Sequence, residues 1–298
     1  MPVSEKNGNQ GSGNFGSLDE KYQTLLALIA EKGAVAVAFS GGVDSSFLCH
    51  ASAAALGAKA IAITVVSPML PKSEIDCAAM VARKVGIEHI LIEETEIDDE
   101  VAANPKERCY FCKKIEFGAI LEAAKKRGIN TVLDGSNLDD LTDYRPGLKA
   151  LAELEVFSPL RAAGLTKQDI RDLSKRFDLP TWDKPAFACL ASRIPYGERI
   201  DREKLSRVEK AETLLREAGF RQFRVRSHGD IARIEVAPEE RRRFFDEKLL
   251  DSVSRSFKSY GFLYVALELE GYVMGNLNRA IPAPDSRATI NIPVVRMA

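Results

Sequence analysis

The stretch Ala34–Ser46, A-V-A-V-A-F-S-G-G-V-D-S-S, constrains this chain more than any other. An unbroken run of small and β-branched apolar residues stops at Ser40-Gly41-Gly42, and a helical pattern opens at Val43-Asp44-Ser45-Ser46. Such a run suits a strand buried on both faces of a parallel sheet. Two adjacent glycines let the backbone turn tightly and approach a ligand with no Cβ in the way. The following helix offers unpaired N–H groups and a positive dipole end, which together form an anion site. The segment predicts a strand, a turn and a helix, with a phosphate-bearing ligand at the carboxyl end of the first strand.

Strand and helix patterns alternate on both sides of this segment. Ser17 is placed to cap a helix over 18–31. Strands are expected at 34–39, 59–66, 89–93 and 131–134, with a short fifth at 156–158. Helices are expected at 44–56, 72–85, 111–127 and 166–177. This alternation indicates an α/β parallel sheet with helices on both faces, whose ligands sit at the carboxyl ends of the strands. Ser40, Ser67, Asp134 and Ser158 occupy those ends. Beyond Pro195 the alternation stops. A helix at 203–218, a hairpin of 223–226 with 231–236 around His228-Gly229-Asp230, a helical 238–259 and a strand at 262–269 predict a smaller α+β domain. The expected division is a disordered tail at 1–17, the α/β domain at 18–194 and the smaller domain at 195–298. The last residues, 281–298, read as an extended arm.

Composition excludes several classes. No apolar stretch reaches membrane-spanning length, and the Gly-, Asn- and Ser-rich N-terminus has no signal-peptide core. A net charge of −1 argues against a nucleic-acid partner. Five cysteines in such a chain imply a reducing cytoplasm, where grouped thiols point to metal or catalysis.

The glycine turn is not the common nucleotide loop, because no lysine follows Gly42 as G-x-x-x-x-G-K-[ST] requires. Ser40-Gly41-Gly42-Val43-Asp44-Ser45 instead resembles the S-G-G-x-D-S pyrophosphate loop of the N-type ATP pyrophosphatases. That resemblance implies an adenine nucleotide α-hydrolase-like fold and cleavage of ATP between its α- and β-phosphates. Backbone amides would hold the leaving pyrophosphate, and Asp44 is placed to hold Mg2+. Asp139 and Asp140, after the fourth strand, are candidates for magnesium or the ribose, and also for a mere helix cap.

Cys109-Tyr110-Phe111-Cys112 is a C-x-x-C, and Cys189 lies far downstream. The pair suits a metal centre, a redox couple or two unrelated helix residues. A closed zinc site wants four ligands, and there is no second C-x-x-C. Three thiolates suit a [4Fe–4S] cluster with one iron open to an exogenous sulfide. Cys49 and Cys77, set among apolar helix residues, read as core. His50 and His89 lack metal-spaced partners, and His228 at a hairpin tip reads as exposed.

Further segments narrow the resemblance: Leu133-Asp134-Gly135-Ser136-Asn137-Leu138-Asp139-Asp140, Asp143-Tyr144-Arg145-Pro146-Gly147-Leu148-Lys149-Ala150, Ser192-Arg193-Ile194-Pro195-Tyr196-Gly197, Arg224-Val225-Arg226 and Asp230–Glu235. With the loop, they resemble the LarE family, sulfur insertases that build the nickel-pincer cofactor of lactate racemase. The resemblance implies that ATP adenylates the carboxylates of pyridinium-3,5-biscarboxylic acid mononucleotide and that sulfur then displaces AMP. It implies a cytoplasmic homo-oligomer, a ring of six, with a sulfide source as partner. Arg193, Arg224, Arg226 and Glu212 become candidate substrate residues. Arg224 and Arg226 alternate on one strand face, suited to a phosphate, with a solvated edge strand as the plain alternative. Glu212 on its own reads as a surface residue.

One departure matters. The single sacrificial cysteine of better-known members falls on Ala188, with Cys189 one position later, while Cys109 and Cys112 match the three-cysteine members. This favours Cys109, Cys112 and Cys189 as iron ligands, with sacrifice of Cys189 in reserve. Competing classes are a tRNA thiolase, an ammonia-dependent amidase such as NAD synthetase, and a nucleotide-binding scaffold without turnover.

Overall fold

Strand β1 (Val35–Ala38) divides the interior by simple alternation. Val35 and Val37 join one apolar cluster with Leu25, Ile29, Phe47, Ala78, Val81, Ile170 and Leu173. Ala36 joins another with Phe117, Ile120, Ala124 and Leu151. Because side chains of a strand point alternately to its two faces, both faces are buried, and an all-apolar run is required. The structure, a computed structural model, describes residues 16–142, 146–185, 188–273 and 275–280. The expected tail up to Phe15, Asp143-Tyr144-Arg145 of one motif, and the arm at 281–298 lie outside the described residues.

The described residues form two compact units, one drawn from Met1–Leu190 with Arg199–Arg202, the other from Ala191–Glu198 with Glu203–Ala298. The chain thus passes between units just after Cys189, and Arg193 falls in the second. In the first unit β1 pairs in parallel with β2 (Ala60–Val66) and with β4 (Val132–Leu133), and β2 pairs in parallel with β3 (Glu88–Glu93). The order is β3-β2-β1-β4. Helices α1 (Leu18–Ala30), α2 (Val43–Leu56) and α3 (Lys72–Val85) supply one layer. The short α4 (Asp99–Ala102) precedes α5 (Arg108–Lys126), which with α6 (Pro146–Glu153) covers the opposite face. The one-turn α7 (Pro159–Ala162) leads to α8 (Lys167–Arg176), packed with α2.

Ser17 caps α1 as the sequence predicts: its Oγ accepts from Glu20 N at 3.3 Å while Glu20 Oε2 receives Ser17 N at 2.6 Å. The expected fifth strand is a single bridge, Leu133↔Phe157. Pro159 follows at once and opens α7, which leaves no length for a ladder. Helix α5 starts three residues before the expected Phe111, so both cysteines of the C-x-x-C lie inside it.

In the second unit α9 (Arg202–Glu217), all but its first residue, precedes the antiparallel hairpin of β5 (Phe223–His228) and β6 (Ile231–Val236). The expected helix at 238–259 is broken into a 3-10 stretch, Pro238–Phe245, and α10 (Glu247–Ser259), which Asp246 caps through Lys248 N at 2.9 Å. Strand β7 (Tyr264–Leu267) then returns parallel to β6. A hairpin plus a helical crossover makes this unit α+β. Among the described residues no helix is long and apolar enough to cross a membrane.

Candidate active site

The loop between β1 and α2 is shaped by two glycines with different tasks. Gly41 has φ +73°, and a Cβ there would stand 2.9 Å from the Glu74 backbone oxygen. Glycine is required by conformation and by the close approach of α3. Gly42 is the N-cap of α2 and contributes no side-chain cap, so the helix start keeps its amides for an anion. Ser40 and Ser45 brace the turn. Ser45 Oγ donates to Gly42 O at 3.3 Å, and its oxygen lies 3.1 Å from Ser40 Oγ. Val43 is buried and anchors the helix in the core.

Asp44, the expected magnesium ligand, stands beside two side chains from elsewhere in the unit. Lys167 Nζ donates to Asp44 Oδ2 at 2.5 Å, and Asn137 Nδ2 to Oδ1 at 3.4 Å. Gly135 makes this closeness feasible, because a Cβ there would meet Ser45 N at 3.2 Å and Asp44 Cβ at 3.3 Å. The Asp139–Asp140 loop is tied to the same group. Asp140 Oδ2 accepts from Asn137 N at 2.9 Å, and Asp139 Oδ2 from Lys167 N at 2.8 Å. Asp134 is buried beneath and accepts from Ser136 N at 2.9 Å and from the hydroxyls of Ser136 and Ser158. Thr64 donates its hydroxyl to Phe39 O at 2.5 Å, so His89 Nε2, 2.8 Å from that oxygen, carries the proton.

The loop lacks a lysine of its own, yet the fold supplies two. Lys167 opens α8, and Lys184 donates to Gly41 O and to Glu74 Oε2, both at 2.9 Å. Sequence spacing gave no sign of either. The only trace is the Thr166 cap at the head of α8, which sets the helix start that carries Lys167.

The three grouped cysteines all belong to the first unit, and no disulfide joins any of the five. Cys109 and Cys112 lie in the first turns of α5. Cys109 Sγ receives Arg108 Nη2 at 3.9 Å, and Arg108 Nη1 holds Asn104 Oδ1 at 2.6 Å. Burial pushes the Cys112 thiol up to about 12, with the charges of Glu116 and Cys189 adding to it. Cys189 therefore stands within electrostatic reach of Cys112. Burial alone would lower the Lys113 ammonium, but Glu116, at 2.8 Å, together with Cys112 and Asp134, leaves it raised. Among the described residues no three His, Cys, Asp or Glu side chains converge to hold a metal ion. A mononuclear site needs such convergence onto one point. A four-iron cluster would instead draw its thiolates from separate corners, and Cys112 lies within electrostatic reach of both Cys109 and Cys189.

Cys49 is fully buried, and burial pushes its thiol far up. Cys77 packs against the same apolar core from its margin. It is half-buried and aims its Sγ at Gly41 O, 3.7 Å away.

In the second unit the candidate substrate residues are internally paired. Arg193 is fully buried and grips Glu212 through Nε and Nη2 at 2.8 and 2.9 Å. Glu212 Oε1 also accepts Val225 N at 3.0 Å, so this residue is buried and not on the surface. Arg226 forks onto Glu235 at 3.1 and 2.9 Å and reaches Ser192 O at 2.7 Å. Arg224 donates to Phe223 O at 2.6 Å and lies over the Tyr272 ring at 5.0 Å. Burial, then the neighbouring Arg193 charge, pulls its guanidinium down to about 10. Strand β5 does lie at the edge of its sheet, but the solvated face of the plain alternative does not hold, since both arginines are buried.

This arrangement bears on relatives. Residues 27–153 match the asparagine synthase family model. The pyridinium-3,5-bisthiocarboxylic acid mononucleotide synthase of Lactiplantibacillus plantarum is 36% identical over 267 residues, covering 88% of this chain and 95% of that one. The chain belongs to that synthase family, LarE. An uncharacterised family-length protein of Synechocystis sp. is 43% identical, covering 89% of this chain and 99% of its own. Another, from Methanocaldococcus jannaschii, is 30% identical, with 86% and 94% covered. Membership agrees with a parallel-sheet pyrophosphatase domain as the frame of the site.

Proposed function

We propose that this protein is an ATP-dependent sulfur transferase acting on pyridinium-3,5-biscarboxylic acid mononucleotide. A substrate carboxylate attacks the α-phosphorus of ATP, the α–β bond breaks, and an acyl adenylate and pyrophosphate form. A hydrosulfide sulfur then adds to the acyl carbon, AMP leaves with the electron pair, one proton is released, and a thiocarboxylate remains. Two rounds give the bisthio product for which the Lactiplantibacillus relative is named.

The observation that carries this reading is the presence in one unit of the Ser40–Ser45 loop and the three grouped thiols. The α2 amides bind the departing pyrophosphate, and Asp44 orients Mg2+. Lys167 and Lys184 stand at the loop as cations for the charge that grows on the leaving group. Cys109, Cys112 and Cys189 would hold a [4Fe–4S] cluster. When bound, that cluster supplies an open iron at which an exogenous sulfide is carried as the nucleophile. Arg193, Arg224, Arg226 and Glu212 are the proposed substrate residues of the second unit, and Asp140 remains a proposed magnesium contact.

The protein is further proposed to be cytoplasmic and homo-oligomeric. Exposed apolar side chains on and beside β7, with Tyr264 65% and Leu269 79% exposed, support association. Light scattering of the full chain tests it.

Pyrophosphate release with the dicarboxylate mononucleotide tests adenylation, and a scaffold would release none. Anaerobic iron and sulfide analysis of wild type and Cys109→Ala tests the thiol set. Iron in the wild type, and its loss in the variant, is the expected result. Iron-free active protein whose Cys189 loses the elements of hydrogen sulfide would instead identify Cys189 as a sacrificial donor.

A further inference from the structure

Arg224 meets an aromatic ring. Its guanidinium carbon stands 5.0 Å over the centroid of Tyr272, in the same unit. Arg193 and Arg226 each commit two N–H groups to a carboxylate, Glu212 and Glu235. A ring face works differently, because its quadrupole attracts the cation without taking up an in-plane N–H group. Tyr272 is half-buried and fixed by its backbone. Its N–H donates to Val236 O at 2.7 Å, at the end of β6, and Gly271 before it has φ +83°. A Cβ on Gly271 would stand 2.7 Å from that same oxygen, so the approach needs a glycine. Arg241 ties the flanking turns together through Pro238 O, at 3.0 Å, and Leu269 O.

Burial weighs first on the Arg224 cation, the charges of Arg193 and Arg226 add to it, and Glu212 offsets part. A buried guanidinium beside two others gains from an arriving anion, through charge-assisted hydrogen bonds. How well it meets that anion depends on what steadies it beforehand. Phe223 O takes one N–H group at 2.6 Å, and the Tyr272 ring attracts the charge.

We propose that Tyr272 is a positioning residue that holds Arg224 ready for an anionic group of the pyridinium mononucleotide. The ring orients the cation before the substrate arrives, so less side-chain freedom is lost on binding. Adenylation takes place at the Ser40–Ser45 loop, to which Tyr272 does not belong. The effect of Tyr272 therefore falls on substrate affinity and not on turnover. The proposal rests on the reading of Arg224 as a substrate residue.

The test uses the full chain. Calorimetry measures binding of nicotinate mononucleotide, a pyridinium carboxylate mononucleotide, and pyrophosphate release with the dicarboxylate mononucleotide gives KM and kcat. Tyr272→Leu raises both the dissociation constant and the KM about tenfold, the scale of a desolvated cation–π contact, with kcat within about twofold. The KM for ATP does not move. Tyr272→Phe restores wild-type values. Trifluorinated phenylalanine at position 272 keeps the shape of phenylalanine but loses the negative ring face, and binding weakens again. A merely structural role would not separate those two rings, and their comparison stands even if the leucine variant fails to fold. Wild-type affinity in Tyr272→Leu, or equal affinity with phenylalanine and its trifluorinated form, overturns the positioning role alone. Wild-type affinity in Arg224→Met, or no binding of either mononucleotide by the wild type, overturns the substrate reading of Arg224 and the positioning role with it.

Discussion

Lys167 Nζ lies 2.5 Å from Asp44 Oδ2, although 123 residues separate them in the chain. The carboxylate expected to hold magnesium therefore has an ammonium beside it before any nucleotide arrives. A divalent ion held by Asp44 would compete with that ammonium for the carboxylate. Lys167→Met is expected to lower the rate of pyrophosphate release about a hundredfold, the scale of one transition-state donor. In the same variant the magnesium concentration for half-maximal nucleotide binding falls, because a competitor is gone. Calorimetry at several magnesium concentrations checks the second outcome, and unchanged magnesium dependence refutes it.

Gly41 and Gly42 are adjacent but not equivalent. Gly41→Ala places a Cβ in a left-handed conformation and 2.9 Å from a backbone oxygen. The conformation alone costs about 1–2 kcal/mol, and the overlap adds to it. Gly42 has φ −78° and meets nothing nearer than Ser40 Oγ at 3.5 Å. Urea denaturation should show a clear loss for Gly41→Ala and little for Gly42→Ala. Equal losses would refute the distinction.

The Arg193–Glu212 pair is buried at both ends, 0% and 2% exposed. Glu212→Ala strands a buried guanidinium and the Val225 amide, a loss of about 3–5 kcal/mol. The exposed pair Arg199–Asp99, at 62% and 90%, serves as the contrast. Asp99→Ala should leave the denaturation midpoint nearly unchanged. A Glu212→Ala protein as stable as wild type would show that the fork is dispensable.

Stability should fall on acidification. The half-buried His50 and His89 have proton affinity lowered by burial. A histidine depressed in the folded state favours the neutral ring. Its contribution is present above the unfolded value of about 6.5 and is lost as pH falls through the lower folded value. Melting temperature should therefore decline as pH drops below about 6.5. His89→Gln, which keeps a donor for Thr64, should soften that decline, and an identical pH profile in the variant counts against His89.

Much of this protein is legible in consecutive residues. The run 34–39 shows a strand buried on both faces because no polar residue interrupts it. Ser40–Ser45 identifies the loop because turn chemistry and helix capping are local properties. The C-x-x-C is visible, although its helix begins earlier than the spacing suggests. The strand expected at 156–158 shrank to a bridge because Pro159 opens a helix at once and because β4 beside it is only two residues long, and the second of these is not written in any local pattern.

The sequence by itself determined the alternating α/β plan, the anion-binding loop, the change of pattern beyond Pro195 and the thiols available for chemistry. Only the tertiary structure decided which charges face one another. Lys167 and Lys184 arrive at the loop from α8 and the segment beyond it, Glu212 turns inward to grip Arg193, and Glu235 closes on Arg226. Backbone turns and capping depend on neighbours within a few residues and are written in order along the chain. Ion pairs across a hundred residues depend on how layers pack, because burial alone decides whether a charge must find a partner.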